Sequence, residues 1–331
     1  MFRSRDFLVV ACLAFVAAWV SCGSAHDSDE HYVFIAANVQ VPYWEAAEAG
    51  FGRAGLALKV KTEFVGPKTY DPKAERDALD EAVKGKATGI LLAVTDPAVL
   101  QDSIDKAVAA GIPVITLDSD APASKRLFFI GTNNYQVGMA GGKRLAKELG
   151  GKGDVMVFTM PSQPNLQDRL RGYKDALAGT GVKIVKEVDI QGDPRVAFDS
   201  TVAAVNKQAK EKIDAFVCLE AQSGKEVASV LDSYHAKGKV VMAMDTDPET
   251  LTWIQKDGIA ATIAQKPYSM AYVGLEMLDT LYHHKPPALD TDWQKVSFSP
   301  IPSFVDTGSA LIDKANVGSF LDAKQSATGA K

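Results

Sequence analysis

The stretch Gly111-Ile112-Pro113-Val114-Ile115-Thr116-Leu117-Asp118-Ser119-Asp120 carries the reading of the fold. Gly111 is where a helix stops, because glycine accepts the left-handed backbone that commonly ends one. Pro113 cannot continue a helix. Val114 to Leu117 is short, apolar and rich in β-branched residues, the mark of a strand covered on both faces. The carboxylates that follow stand where such a strand leaves its sheet. Upstream, Asp96-Pro97 offers an N-cap and a proline preset for the first helical turn, so a helix runs from Pro97 to Ala109. Helix, turn and buried strand together make most of a βαβ unit.

The same unit recurs on either side. Strands are predicted at Tyr32 to Ala36, Leu58 to Phe64, Gly89 to Ala93, Pro113 to Leu117 and Leu127 to Ile130. A second series follows at Asp154 to Thr159, Lys183 to Val188, Ala215 to Leu219, Val240 to Met244 and Ala261 to Ile263. Amphipathic stretches separate them: Trp44 to Ala54, Pro72 to Lys84, Pro97 to Ala109, Gln136 to Leu149, Asp168 to Ala178, Val196 to Lys212, Ser223 to Tyr234, Thr250 to Lys256 and Met270 to Tyr282. This alternation reads as two doubly wound α/β lobes with right-handed crossovers. With 331 residues, 47% of them hydrophobic, the chain exceeds the size at which one core keeps growing. The formal charge of -5 is spread over interspersed acids and bases, not the positive stripe that a nucleic-acid backbone demands.

The N-terminus reads as an export signal. Arg3 and Arg5 precede an apolar run from Phe7 to Val20, and small residues follow at Ser21, Cys22, Gly23, Ser24 and Ala25. That run is shorter than the roughly 20 residues a membrane-spanning helix needs, and no later segment is long and apolar enough. Val20-Ser21-Cys22 resembles the end of a bacterial lipobox, which makes Cys22 a candidate for lipidation, although Trp19 stands where leucine is usual. Ordinary cleavage after Ala25 is the alternative. Of three cysteines, Cys12 and Cys22 belong to the signal or its edge. Cys218 is then alone in an apolar stretch, which suits a buried structural thiol.

In open parallel sheets ligands bind beyond the carboxyl ends of the strands, so the residues at those exits are the candidates. They are Asn38, Gln40, Tyr43 and Trp44; Asp118, Ser119 and Asp120; Asn165, Gln167 and Arg169; Glu220 and Gln222; Asp245 and Asp247; and Gln265. Carboxylates accept from hydroxyls, a guanidinium donates in a planar fork and amides do either, which is the chemistry a polyhydroxylated ring requires. Aromatic faces can cover its C–H surface. Plainer roles stand beside these. Asp118, Asp120 and Asp245 could cap helices, Arg169 could form a surface ion pair, and Tyr43 and Trp44 could pack at a helix start.

From Tyr32 to Asp306 the sequence resembles the bacterial periplasmic sugar-binding proteins of the ribose-binding type, the receptors of ABC importers. The resemblance rests on Gly111 to Asp118, on Arg169-Leu170-Arg171-Gly172-Tyr173 and on Ala260-Ala261-Thr262-Ile263-Ala264-Gln265-Lys266-Pro267. It implies the periplasmic binding protein type I fold, two lobes joined by a three-strand hinge, and an exported monomer that closes on a small sugar or polyol and delivers it to a permease. Hinges are expected near Thr132-Asn133, Gln265-Lys266 and Pro300-Ile301-Pro302. The implied organisation is a signal peptide at 1–22, a linker at 23–30, an N-terminal lobe of 31–132 with 266–300, a C-terminal lobe of 133–265 with 301–322, and a disordered tail at 323–331. By the same resemblance the stacking aromatics fall on Tyr43 and Trp44, acidic and polar ligands on Asn38, Asp118, Asp245 and Gln265, and the sugar-gripping arginine on Arg169. Glu220 stands where the family usually has Asn, Ser119 where Arg often follows the first acid, and Asp193-Pro194 where another aromatic is usual. These changes remove a cation and add an anion, which favours a donor-rich ligand such as a hexose, a polyol or an amine-bearing sugar over ribose.

Other functions compete. The sequence lacks HExxH, GxSxG, CxxC and GxxxxGK[ST], and Gly150-Gly151-Lys152-Gly153 precedes a strand, so an enzyme is not expected and no cofactor is called for. His283 and His284 are adjacent, without the i, i+4 spacing of a helical metal pair, and read as a solvated helix end. Transcription regulators of the LacI type share the two-lobed fold, but a signal peptide occupies the place of their DNA-binding domain. Asp118-Ser119-Asp120 also resembles receptors for autoinducer-2. A sensor subunit serving a chemotaxis receptor or histidine kinase is a further alternative.

Overall fold

A computed structural model of the chain describes His26, residues 29–207 and residues 212–328. The expected signal peptide and Cys22 lie outside the described residues. The first sheet is built from β1 (His31–Ile35), β2 (Lys61–Val65), β3 (Gly89–Leu92), β4 (Val114–Leu117), β5 (Phe129–Gly131) and β11 (Phe304–Asp306), in the order β2-β1-β3-β4-β5-β11. All its neighbours are parallel. The second sheet has β6 (Lys152–Thr159), β7 (Gly181–Asp189), β8 (Ala215–Cys218), β9 (Val240–Met244), β10 (Ala261–Ala264) and β12 (Ala310–Asp313), in the order β7-β6-β8-β9-β10-β12. Its last strand runs antiparallel to β10.

The helices are α1 (Pro42–Leu58), α2 (Pro72–Lys84), α3 (Pro97–Ala109), α4 (Asn134–Glu148), α5 (Pro164–Leu177), α6 (Pro194–Asn206), α7 (Ser223–Ser233), α8 (Pro248–Gln255), α9 (Pro267–His283) and α10 (Val317–Thr328). They cover both faces of each sheet, so the inner strands carry no polar alternation. In the first lobe Phe34 packs with Phe51, Ile115 and Leu278 on one face, while its neighbour Ile35 packs with Leu79, Leu92 and Ile104 on the other. In the second, Val155, Phe158, Phe216 and Val217 form the corresponding core. None of the described helices is long and apolar enough to cross a membrane.

The chain passes between the sheets three times. It leaves the first sheet after Gly131 for α4, returns after Ala264 through Gln265 and Lys266 to α9, and crosses again between β11 and β12. This last crossing corrects the expected position near Pro300 to Pro302. Phe304–Asp306 pairs with β5, so the first lobe keeps the chain through Asp306 and the passage is made by residues 307–309. The first and third crossings are bonded to each other. Thr307 donates from its backbone (2.9 Å) and its hydroxyl (3.0 Å) to the Gly131 carbonyl, and the Asn133 N–H donates to Asp306 Oδ1 at 3.3 Å.

Three further expectations change. The chain from residue 323, read as a disordered tail, continues α10 as far as Thr328; Ala323-Lys324-Gln325-Ser326-Ala327 are mostly good helix formers. The polar linker ends in Glu30, which is buried. His283, read as a solvated helix end, instead faces Glu30 and Asp279.

Candidate functional site

Two strand exits set the site. After β4 and after β9 the chain turns left-handed at a residue other than glycine, with φ of 65° at Asp118 and 63° at Asp245. Aspartate tolerates this region better than most residues, yet the conformation still costs of order 1 kcal/mol and is held by its surroundings. The Asp118 N–H donates to the Ile130 carbonyl at 3.0 Å and the Asp245 N–H to that of Ile263 at 2.9 Å, so each turn is tied to the next strand of its sheet. The outcome is one carboxylate from each lobe lining a shared pocket.

Arg169 on α5 is the third element, at 1% exposure among the most deeply buried side chains described. Its Nε and Nη2 donate to Asn134 Oδ1 at 3.2 and 2.6 Å, Nη1 donates to the Leu219 carbonyl, and Nη2 also reaches Gln265 Oε1 at 3.2 Å. Such a fixed fork is what a guanidinium offers and an ammonium does not. Asn134 comes into reach because α4 lies directly on α5. A Cβ on Gly138 would overlap the Arg169 carbonyl, and one on Gly172 that of Tyr135. Gln265 bridges onward, its Nε2 donating to Asp245 Oδ1 at 3.1 Å and Oδ2 at 3.3 Å.

On the first-lobe side the Tyr43 hydroxyl donates to Asp118 Oδ1 at 2.7 Å. Asn165, from the second lobe, reaches Asp118 Oδ2 at 3.4 Å. Burial raises the Asp118 carboxyl above its ordinary value, opposed by the Tyr43 bond and the Arg169 charge. Burial likewise pushes Asp245 up to about 7, with Arg169 and Gln265 opposing and the Asp118 charge adding. The Tyr43 phenol is raised well above its usual range by burial and then by the two aspartates, so it stays a donor.

A profile of the periplasmic binding protein domain matches residues 32–286. The chain belongs to this family. Among curated relatives, the periplasmic binding protein is 21% identical over 283 residues to the ribose import binding protein RbsB of Bacillus subtilis (strain 168), covering 84% of this chain and 90% of that one. Among solved structures it is similar to AraP, an arabinose binding protein from Geobacillus stearothermophilus, with 31% identity, a TM-score of 0.72, and coverage of 88% and 99%. GanP, a glucose-galactose binding protein from the same organism, gives 27% identity, a TM-score of 0.79, and the same coverage.

The periplasmic binding protein brings most of its expected site residues together: Tyr43, Trp44, Asp118, Ser119, Asn165, Arg169, Glu220, Asp245 and Gln265 all line the pocket. Asn38 and Gln40 are not among its lining residues. Asn38 Oδ1 accepts from the Gln40 N–H at 2.9 Å in a local turn, and Gln40 is exposed. Glu220 lines the pocket but both its oxygens accept backbone N–H bonds, from Gln222 at 2.7 Å and Ser223 at 2.9 Å, so it also holds the start of α7. Trp44 serves twice, lining the pocket and packing edge-on against Phe34.

Asp120 pairs as a fork with the buried Arg126. Asp247 caps α8. Gln167 is exposed and donates to the Pro161 carbonyl. Tyr70, Met160 and Gln163 line the pocket without having been anticipated. Tyr70 follows β2, a strand exit that supplied no candidate, and its phenol is raised by burial and then by the Glu220 and Asp118 charges.

Proposed function

We propose that this periplasmic binding protein captures a small sugar or polyol between its lobes and delivers it to the permease of an ABC importer, taking no catalytic part. The observation that carries this reading is the facing pair Asp118 and Asp245, presented by left-handed turns from opposite lobes with Arg169 buried beside them. Carboxylates from both sides accept from ligand hydroxyls, and the guanidinium donates to ring or hydroxyl oxygens. Contacts from both lobes stabilise a closed state selectively, so ligand binding drives closure about the three crossings. The ribose, arabinose and glucose-galactose binding proteins to which the chain is similar support a carbohydrate as ligand.

The family indicates an extracytoplasmic protein. Within the proposal it acts as a monomer and is held at the envelope by a lipid on Cys22. A thermal-shift panel of pentoses, hexoses, amino sugars and polyols tests the ligand class, since a ligand of the folded state raises the melting temperature by mass action. The expected result is stabilisation by a subset of one sugar class, with micromolar or tighter binding in calorimetry. Absence of stabilisation by every carbohydrate overturns it.

A further inference from the structure

At the end of the first lobe opposite the cleft, four side chains from two distant segments meet. Glu30 immediately precedes β1 and is 2% exposed; His26 lies four residues earlier; Asp279 and His283 stand one turn apart at the end of α9. His26 Nε2 is 3.0 Å from Asp279 Oδ1. His283 Nε2 is 3.2 Å from Glu30 Oε2 and 3.6 Å from the same Asp279 oxygen. All four ligand atoms lie within 4.8 Å of one another. The buried Tyr32 hydroxyl reaches both carboxylates, at 3.4 Å to Glu30 Oε2 and 3.3 Å to Asp279 Oδ1.

This convergence comes near the dimensions of a bound ion, with three of the six ligand-atom pairs close and all of them within 4.8 Å. With metal–ligand bonds of about 2.0–2.2 Å, a tetrahedral zinc site spaces its ligand atoms roughly 3.3–3.5 Å apart and the centres of two imidazoles about 5 Å apart. Here the close pairs span 3.0–3.6 Å, and the His26 and His283 rings stand at 87° with centroids 5.1 Å apart. The charge argument agrees. Carboxylates held at a largely buried position are costly unless a cation meets them. One divalent cation neutralises both while using each imidazole as a neutral ligand. Tyr32 supplies the outer bond that orients ligating carboxylates.

We propose that His26, Glu30, Asp279 and His283 form a site for a divalent transition metal of the zinc type, which clips the segment ahead of β1 to the end of α9. The mixed imidazole and carboxylate set suits zinc better than calcium or magnesium, which take oxygen ligands. The expectation of no metal site rested on spacing within one segment; here the ligands come from opposite ends of the lobe's sequence.

The test uses the purified exported protein without a histidine tag, stripped with a chelator and titrated with Zn²⁺ by calorimetry. Thermal melts are recorded with and without the metal. The expected result is one Zn²⁺ per chain, a higher melting temperature that the chelator reverses, and binding weakened at least about tenfold by His283→Ala and by His26→Ala. His26 precedes the first strand, so its variant keeps the fold even if His283→Ala does not. Zn²⁺ affinity in folded His26→Ala equal to that of the unchanged protein, or no stoichiometric Zn²⁺ binding at all, overturns the proposal.

Discussion

In the first lobe β4 ends at Leu117 and Asp118 turns left-handed; in the second, β9 ends at Met244 and Asp245 does the same, the two φ angles differing by only 2° (65° against 63°). The surroundings of these matching turns are unlike. Asp118 is met by a phenol and lies among the aromatic residues Tyr43, Trp44 and Tyr70. Asp245 is met by an amide that Arg169 in turn grips. One lobe thus offers a carboxylate with apolar ring faces, the other a carboxylate with a cation and amides. Two copies of one backbone device hold the acceptors symmetrically, and the different side chains around them give the pocket a direction in which an asymmetric ring can be read.

The largest expected effect falls on the second lobe. Arg169→Ala removes the only cation among the pocket-lining residues and takes away the donors to Asn134 Oδ1, Gln265 Oε1 and the Leu219 carbonyl. A loss of about 3 kcal/mol or more, roughly a hundredfold or more in Kd, is expected by calorimetry. Arg169→Lys recovers little of it, because the fork is lost. Unchanged affinity would remove the second lobe from the recognition scheme.

Next in size are the two aspartates themselves. Asp118→Asn and Asp245→Asn keep a residue that tolerates the left-handed turn but remove a buried charge. Each is expected to weaken ligand binding about tenfold or more while raising the melting temperature of the ligand-free protein, the usual exchange of stability against function. The stabilisation should be greater for Asp245, whose carboxyl is pushed up to about 7. Equal stabilisation by both variants would erase the electrostatic difference between the lobes.

The pH response follows from the same group. Because the folded Asp245 carboxyl lies above its ordinary 3.8, its contribution to stability is full below about pH 4 and is lost as pH rises towards 7. A ligand hydroxyl donating to Asp245 selects the ionised form, so binding near neutrality should release protons. Calorimetry in buffers of different ionisation enthalpy measures this, and Asp245→Asn should abolish it. The smallest effect belongs to Glu220. Glu220→Gln should cost about 1 kcal/mol of stability, as one of the two bonds at the start of α7 is lost, measured by urea unfolding, with ligand affinity changed less than about threefold.

Eight of the ten strands of the βαβ series were legible because buried parallel strands read as apolar runs, while the edge strands β2 and β7 are mostly exposed and showed through their β-branched and aromatic residues. Helix starts were legible less well. Periodicity placed them at Trp44, Asp168, Val196, Thr250 and Met270, while the helices begin at Pro42, Pro164, Pro194, Pro248 and Pro267. Proline costs nothing at the first position, where its missing N–H has no helical partner, so it marked each start more sharply than the first buried residue did. The difference bears on the site, since it puts Asn165 on α5 instead of in a loop. Edge strands β11 and β12 were not legible: three and four residues long, they are defined by pairing with β5 and β10 and not by their own pattern. Asn134 was hidden for a related reason, its role coming wholly from the glycine-mediated approach of α4 to α5.

The bonds tying Thr307 to Gly131 and Asn133 to Asp306 have a mechanical consequence. Two of the three straps between the lobes are laced together at one place, whereas the strap at Gln265 carries the amide that joins Arg169 to Asp245. Twisting about the laced pair keeps those bonds intact, and sliding the lobes past one another breaks them. The expected closing motion is therefore a swing, with the laced straps as its pin and the Gln265 strap, which lines the proposed site, as its arm.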